Sequence, residues 1–329
     1  LQGLPAKENY VRCVLIAVVV ATPLAAHAAD PFPSKPLRLI VPVAPGGGAD
    51  ITSRAVASKL VDVLGQQVIV DNRSGGGGIV GLEATARATP DAHTFAQGGI
   101  GSLAVMPHFT KLPYDVLRDF TPVARGVSAL NMLVVHPSLP VNSVKDMIAH
   151  AQRNPGKLNY GSSGPGRADH LAGEIFSGMA GVKMQHVPYK GGAPAMIDLL
   201  GGNIQLIFAT LSTSIMHVKA GKIRAIAMTS SQRWEGLPNI PTVAEAGLPG
   251  FAVENWYGFI GPRGMPPARV AVLHREINRA LEAADVRARL ATLGIVPFTL
   301  PTPAAFGDYI RAEMKKYGKV VQEAGIKGD

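Results

Sequence analysis

The chain has 329 residues, 47% of them apolar and 17% charged, enough for two domains with buried cores; this excludes a disordered or a small disulfide-stapled protein. The formal net charge is +9, but the basic residues are scattered singly, with Lys315-Lys316 the one adjacent pair. That pattern fits a solvated surface attractive to small anions and speaks against nucleic acid as a partner.

Taken in order, the N-terminal stretch comes first. Lys7 and Arg12 flank the start of an apolar run over Cys13–Ala21, and Ala26-His27-Ala28 follows as an A-x-A cleavage pattern. Residues 1–28 read as a cleavable secretory signal, too short to span a bilayer. The mature protein is therefore expected in a periplasm. Cys13 is the only cysteine and lies inside this segment, so the mature chain has no disulfide and no cysteine metal site.

The rest is organised around Leu37–Arg54. Leu37–Val43 is a nearly continuous apolar run, as expected of a strand buried on both faces, and Pro42 and Pro45 close it. Asp50 and Thr52 are helix-cap residue types, and apolar residues then recur at helical spacing up to Gly65. Gly46, Gly47 and Gly48 thus fall between a strand end and a helix start, where free N–H groups can meet an anion. A tight turn that needs glycine only for its geometry accounts for the same residues. The stretch alone leaves both readings open.

Two more units repeat the grammar. Val68–Val70 precedes the glycine loop of Asp71–Gly78, and Thr94–Gln97 precedes Gly98–Ser102, which holds Gly101 and Ser102. Right-handed crossovers would make these strands parallel, with the loops along one sheet edge. Strands at Pro122–Val127 and Asn131–His136 follow, then a helix over Ser143–Asn154. Asn159-Tyr160 leads into a serine loop containing Ser162, Ser163, Gly164 and Gly166, and the helix behind it carries His170 one turn in. Later strands are expected at His186–Tyr189, Leu206–Phe208 and Ile223–Thr229, the second running into Ala209 and Thr210. A last extended run, Phe251–Ile260, precedes C-terminal helices around Ala268–Ala283 and Pro303–Ala324.

Val41–Gly47 echoes Val187–Gly192, which suggests two α/β halves with parallel-rich sheets flanked by helices. The expected division is residues 29–127 with 252–329 for domain 1 and 128–251 for domain 2, with two crossings as the hinge of a cleft. Enzyme signatures largely fail. Gly76–Gly81 matches G-x-G-x-x-G, but a run of four glycines does so easily. Gly161–Pro165 is not a nucleophile elbow, no lysine follows a glycine loop at P-loop spacing, and the histidines lack metal-ligand spacing. No catalytic residue, cofactor or metal is expected. Helix N-termini and serine hydroxyls without a nucleophile–base pair fit binding without turnover. The alternative is an exported α/β hydrolase or transferase acting on a small anion.

Several stretches resemble one family. Pro33–Pro42 running on to Gly46-Gly47-Gly48-Ala49-Asp50 is similar to the opening of the Bug receptors, the periplasmic substrate-binding proteins of tripartite tricarboxylate transporters. So are Asn72–Gly78, Asn159–Gly164, His186–Gly191 and Pro241–Gly247. The resemblance implies a two-domain periplasmic-binding-protein (Venus-flytrap) fold that binds small organic carboxylates as a monomer, with a membrane permease or sensor kinase as partner. It implies ligand contacts from Ala44–Asp50, Gly98–Ser102 and Ser162–Gly166, partly through water. Family members often carry Thr at the position of Ala49 and Asp at that of Ala209. Without that acid the cleft suits a ligand lacking an amino group. Arg167, beside the serine loop, is a further departure, with Asp169 close by to balance it.

Overall fold

The computed structural model describes Gly3 and residues 32–323. The expected signal segment, with Cys13, lies outside the described residues apart from Gly3. The chain opens with β1 (Leu37–Val41), α1 (Gly48–Leu64), β2 (Val68–Asn72), α2 (Ile79–Ala86), β3 (Thr94–Gly99) and β4 (Phe120–Ala129). It continues with β5 (Asn131–Val135), α3 (Val144–Arg153), β6 (Asn159–Ser162), α4 (Ala168–Ala180) and β7 (Gln185–Pro188). Next come α5 (Gly192–Leu200), β8 (Leu206–Thr210), α6 (Leu211–Lys219), β9 (Arg224–Met228) and α7 (Val243–Ala246). The return consists of β10 (Asn255–Pro262), α8 (Pro267–Glu282), α9 (Ala284–Ala291), β11 (Ile295–Pro297) and α10 (Pro303–Glu323).

Two sheets result, in the orders β11-β4-β10-β3-β1-β2 and β7-β6-β8-β5-β9. β1 lies between β2 and β3, parallel to both, and Leu37, Leu39, Ile40 and Val41 are buried because helices cover both of its faces. Each such side chain contributes roughly 1.5–3 kcal/mol of burial. The second sheet repeats this with β6 between β7 and β8. Both sheets are mixed, since β10 pairs antiparallel with β3 and β4, and β5 antiparallel with β8 and β9. The strands next to the crossings enter from the other lobe, so they cannot keep the direction set by the crossover helices.

The crossings are short and tied together. Only Leu130 separates β4 from β5; its N–H donates to Gly294 O and its carbonyl accepts from Leu211 N, both at 2.9 Å. On the return, Val253 N–H donates to Thr229 O at 2.9 Å, and the Thr229 hydroxyl reaches the carbonyls of Asn131 (3.2 Å) and Val253 (3.1 Å). Behind the first crossing, the buried Arg125 guanidinium stacks over Phe298 (4.4 Å) and Tyr309 (5.1 Å), joining β4 to the C-terminal segment.

Candidate functional site

A cavity opens between the sheets at the carboxyl ends of β1, β3 and β8. The empty space between its walls, counted out to the mouth and including open solvent there, is about 570 Å³. Four helices begin on its walls: α1 with Gly47, Gly48 and Ala49, α4 with Ala168 and Asp169, α5 with Gly192, and α6 with Thr210 and Thr213. The first N–H groups of a helix have no intrahelical acceptor, and the helix dipole adds positive potential there. Their convergence gives the cavity N–H donors and positive potential, the means by which helix starts hold anions.

Near the crossings the wall is polar but uncharged. Asn131 Nδ2 donates to Phe208 O at 2.8 Å, while Asn255 Nδ2 donates to Asn131 Oδ1 (3.3 Å) and to the Tyr257 hydroxyl (3.1 Å). Burial pushes the Tyr257 hydroxyl up to about 12, so it keeps its proton and can donate. Ser163, facing the cavity from the serine loop, donates from Oγ to Asp169 Oδ1 at 3.0 Å and from N–H to Oδ2 at 2.6 Å. Burial raises the Asp169 carboxyl despite those hydrogen bonds and the nearby Arg167.

The lobes touch around this space. Ala44 N–H donates to Lys190 O at 2.9 Å, and Arg167 Nη2 donates to Pro42 O at 2.8 Å. A Cβ on Gly77 would lie 2.5 Å from Pro165 O, and one on Gly48 would lie 2.7 Å from Ser212 Oγ. At Gly77 the opposing atom is main chain, so glycine is required there for the approach of the opposite lobe, whereas at Gly48 the Ser212 hydroxyl would have to turn aside or the lobe withdraw. The second glycine loop therefore serves lobe contact and does not line the cavity.

Of the residues expected from sequence, Gly47, Gly48, Gly101, Ser163, Ala209 and Thr210 come together on the cavity wall. The others stand behind it. Ala44 makes the cross-lobe bond, and Gly46 N–H donates to Asp50 Oδ2 at 3.0 Å. Ser102 is buried beneath Gly99, and Ser162 Oγ lies 2.6 Å from His186 Nε2 and accepts from Gly164 N–H. His170 Nδ1 accepts from Gly166 N–H at 3.0 Å and its ring stacks on His186 at 4.1 Å. Ser162 with His186 has the distance of a nucleophile–base pair, yet Ser162 is fully buried and neither residue faces the cavity. Asn131, Asn255, Tyr257 and Thr213 also line it, and no local pattern marks them, because strand pairing and helix packing bring them together.

Asp50 departs from its expected place. Gly47, not Asp50, is the N-cap of α1; Asp50 sits in the first turn and reaches back to the loop. Its carboxylate also accepts from Arg54 Nε (3.0 Å) and Asn72 Nδ2 (2.9 Å). Burial alone would raise this carboxyl, but the hydrogen bonds from Arg54, Gly46 N–H and Asn72 outweigh it and hold it below the usual carboxylate range. A depressed value stabilises the fold above the unfolded-state value of about 4 and ceases to do so as pH falls through the folded one. Asp50→Asn should therefore lower the melting temperature at pH 7 by a few degrees, and the gap to wild type should narrow below pH ~4. A gap that stays constant on acidification would show that the Asp50 charge does not anchor the loop.

Two lobes, short crossings and a cavity ringed by helix starts define a two-lobed solute-binding protein. Residues 52–326 match the model of the tripartite tricarboxylate transporter family receptor, and the chain belongs to that family. It is 34% identical over 320 residues to protein BugT of Bordetella pertussis, covering 95% of this chain and 97% of that one. Among solved structures it is similar to Rpa4515 of R. palustris with adipate (TM-score 0.86, 36% identity, 90% and 99% of the two chains). It is also similar to MatC of Rhodopseudomonas palustris with bound malate (TM-score 0.84, 30% identity, 88% and 100%).

Proposed function

We propose that this chain is a periplasmic receptor that captures a small organic carboxylate between its lobes and presents it to a tripartite tricarboxylate-type permease or to a sensor. The observation that carries this reading is the convergence of four helix N-termini on one cavity between two lobes. Such donors hold a small anion, whether carboxylate, phosphate or sulfate, without a metal or cofactor. Family membership and the adipate and malate named for two similar structures support it. In this reading residues 1–28 are removed on export, the lobes follow the expected division (29–127 with 252–329, and 128–251) except that β4 carries Ser128 and Ala129 in the first sheet, and the receptor acts as a monomer.

A thermal-shift screen of the purified mature protein against mono-, di- and tricarboxylates and aromatic acids tests the function. At least one acid should raise the melting temperature and be recovered unchanged. An acid consumed during incubation would favour the exported-enzyme reading, for which the Ser162–His186 contact is the starting point. If no acid stabilises the protein, the receptor reading fails.

Closure provides a second readout. The lobes meet at Ala44–Lys190 and Arg167–Pro42, and bending at Leu130 and near Val253 would part them. Solution scattering should give a smaller radius of gyration with saturating acid than without. An unchanged radius, with binding shown by calorimetry, would mean a preformed pocket.

A further inference from the structure

Arg167 is the N-cap residue of α4 and lines the cavity with only 6% of its surface exposed. Its Nη2 donates to Pro42 O on the other lobe, whereas its Nε is buried with no hydrogen-bond partner among the described residues. The nearest acid in sequence, Asp169, spends its oxygens on Ser163 N–H, Ser163 Oγ and His170 N–H and forms no ion pair with Arg167 among the described residues. Tyr114 and Tyr257 complete its charged and titratable surroundings. A guanidinium cannot shed its proton to escape burial as a lysine can, and a buried cation without a counter-ion is strongly disfavoured. Arg167 is one of the residues that line the cavity ringed by helix starts.

We propose that Arg167 is a specificity-determining residue: it receives one carboxylate of a dicarboxylate ligand, while the main-chain N–H groups at the start of α1 hold the other. This rests on reading the cavity as a carboxylate site and names the class of carboxylate. The Nη2–Pro42 bond joins the two roles, since the side chain that meets the ligand also grips the opposite lobe.

Calorimetry on the purified mature chain with succinate, glutarate, adipate and malate, and with hexanoate and benzoate, tests it. The tightest diacid should bind at least 100-fold more strongly than hexanoate, and Arg167→Gln should cut that preference below tenfold. A side chain that only holds Pro42 would, when replaced, weaken diacid and monoacid alike; an unchanged ratio therefore overturns the proposal. A wild type that binds hexanoate or benzoate as tightly as every diacid also overturns it, while leaving the carboxylate-receptor reading intact. If none of the acids binds, both readings fall. Should circular dichroism show Arg167→Gln unfolded, Arg167→Lys takes its place: it keeps the charge and loses the fork, and the preference should fall at least fivefold. An unchanged preference in Arg167→Lys then overturns the proposal.

Discussion

Gly48→Val should abolish ligand capture and leave a folded protein. Gly48 is the first residue of α1 and its backbone is helical, so a Cβ there strains nothing within its own lobe. The obstacle lies across the cleft, where that Cβ would come within 2.7 Å of Ser212 Oγ, whereas the Tyr257 hydroxyl of its own lobe, at 3.4 Å, is in ordinary contact. Parting the lobes relieves the clash with Ser212. The variant should be an open receptor with a near-normal melting temperature and no closure on adding ligand. Gly47→Val tests the same wall differently. Nothing lies within 4 Å of a Cβ at Gly47, so its methyls would occupy the space a carboxylate needs. A loss of at least about 100-fold, some 2.7 kcal/mol, is expected of each in calorimetry. Wild-type affinity in both would mean that the loop uses glycine for its turn alone.

Ala209→Asp should reverse the charge preference of the site. Ala209 is 3% exposed, pairs with Met132 across β5 and β8, and lines the cavity one residue before the Thr210 cap of α6. In the wild type a ligand carboxylate meets helix starts worth roughly 0.3–2 kcal/mol each. An ammonium would give up its water there to face Arg167 and four positive dipole ends, and the effective penalty for an unpaired buried ion is several kcal/mol. An aspartate at 209 would take up the α6 dipole, repel the ligand carboxylate and offer the ammonium a partner. Adipate or malate affinity should fall about 30-fold or more, about 2 kcal/mol, and aspartate or glutamate should gain. If the wild type already prefers aspartate to succinate, the argument from Ala209 is wrong.

Much of the fold is legible in the sequence because its signals are local. The apolar run Leu37–Val41, the glycine after it and the helix ending at Gly65 each follow from neighbouring residues, and Ser143 caps α3 through Asp146 N–H as its residue type suggests. β11 and α9 are missed: three residues, Ile295–Pro297, become a strand only because β4 extends to Ala129 and offers an edge. Loop geometry also shifts roles between neighbours. Both Ser162 and Ser163 stand out in the serine loop, but β6 extends through Ser162 and aims its hydroxyl at His186, so Ser163 alone faces the cavity. Asp50 has a cap's residue type, yet its partners Arg54 and Asn72 draw it away from the ligand space. Arg167 is visible in the sequence; that it lacks a counter-ion is not, because that depends on where Asp169 points.

The donors at the starts of α1, α4, α5 and α6 are peptide groups, and this divides what the lineage inherits from what it can revise. A peptide N–H survives nearly every substitution that preserves the fold, so the clamp passes down with the architecture. On the proposed reading, ligand choice falls to a handful of side chains that line the cavity, such as Arg167, Ala209, Thr213 and Asn255. Those positions can change one at a time without dismantling the grip. A receptor built this way is a scaffold for retargeting: new acids are reached by exchanging wall residues, while the means of holding a carboxylate is never put at risk.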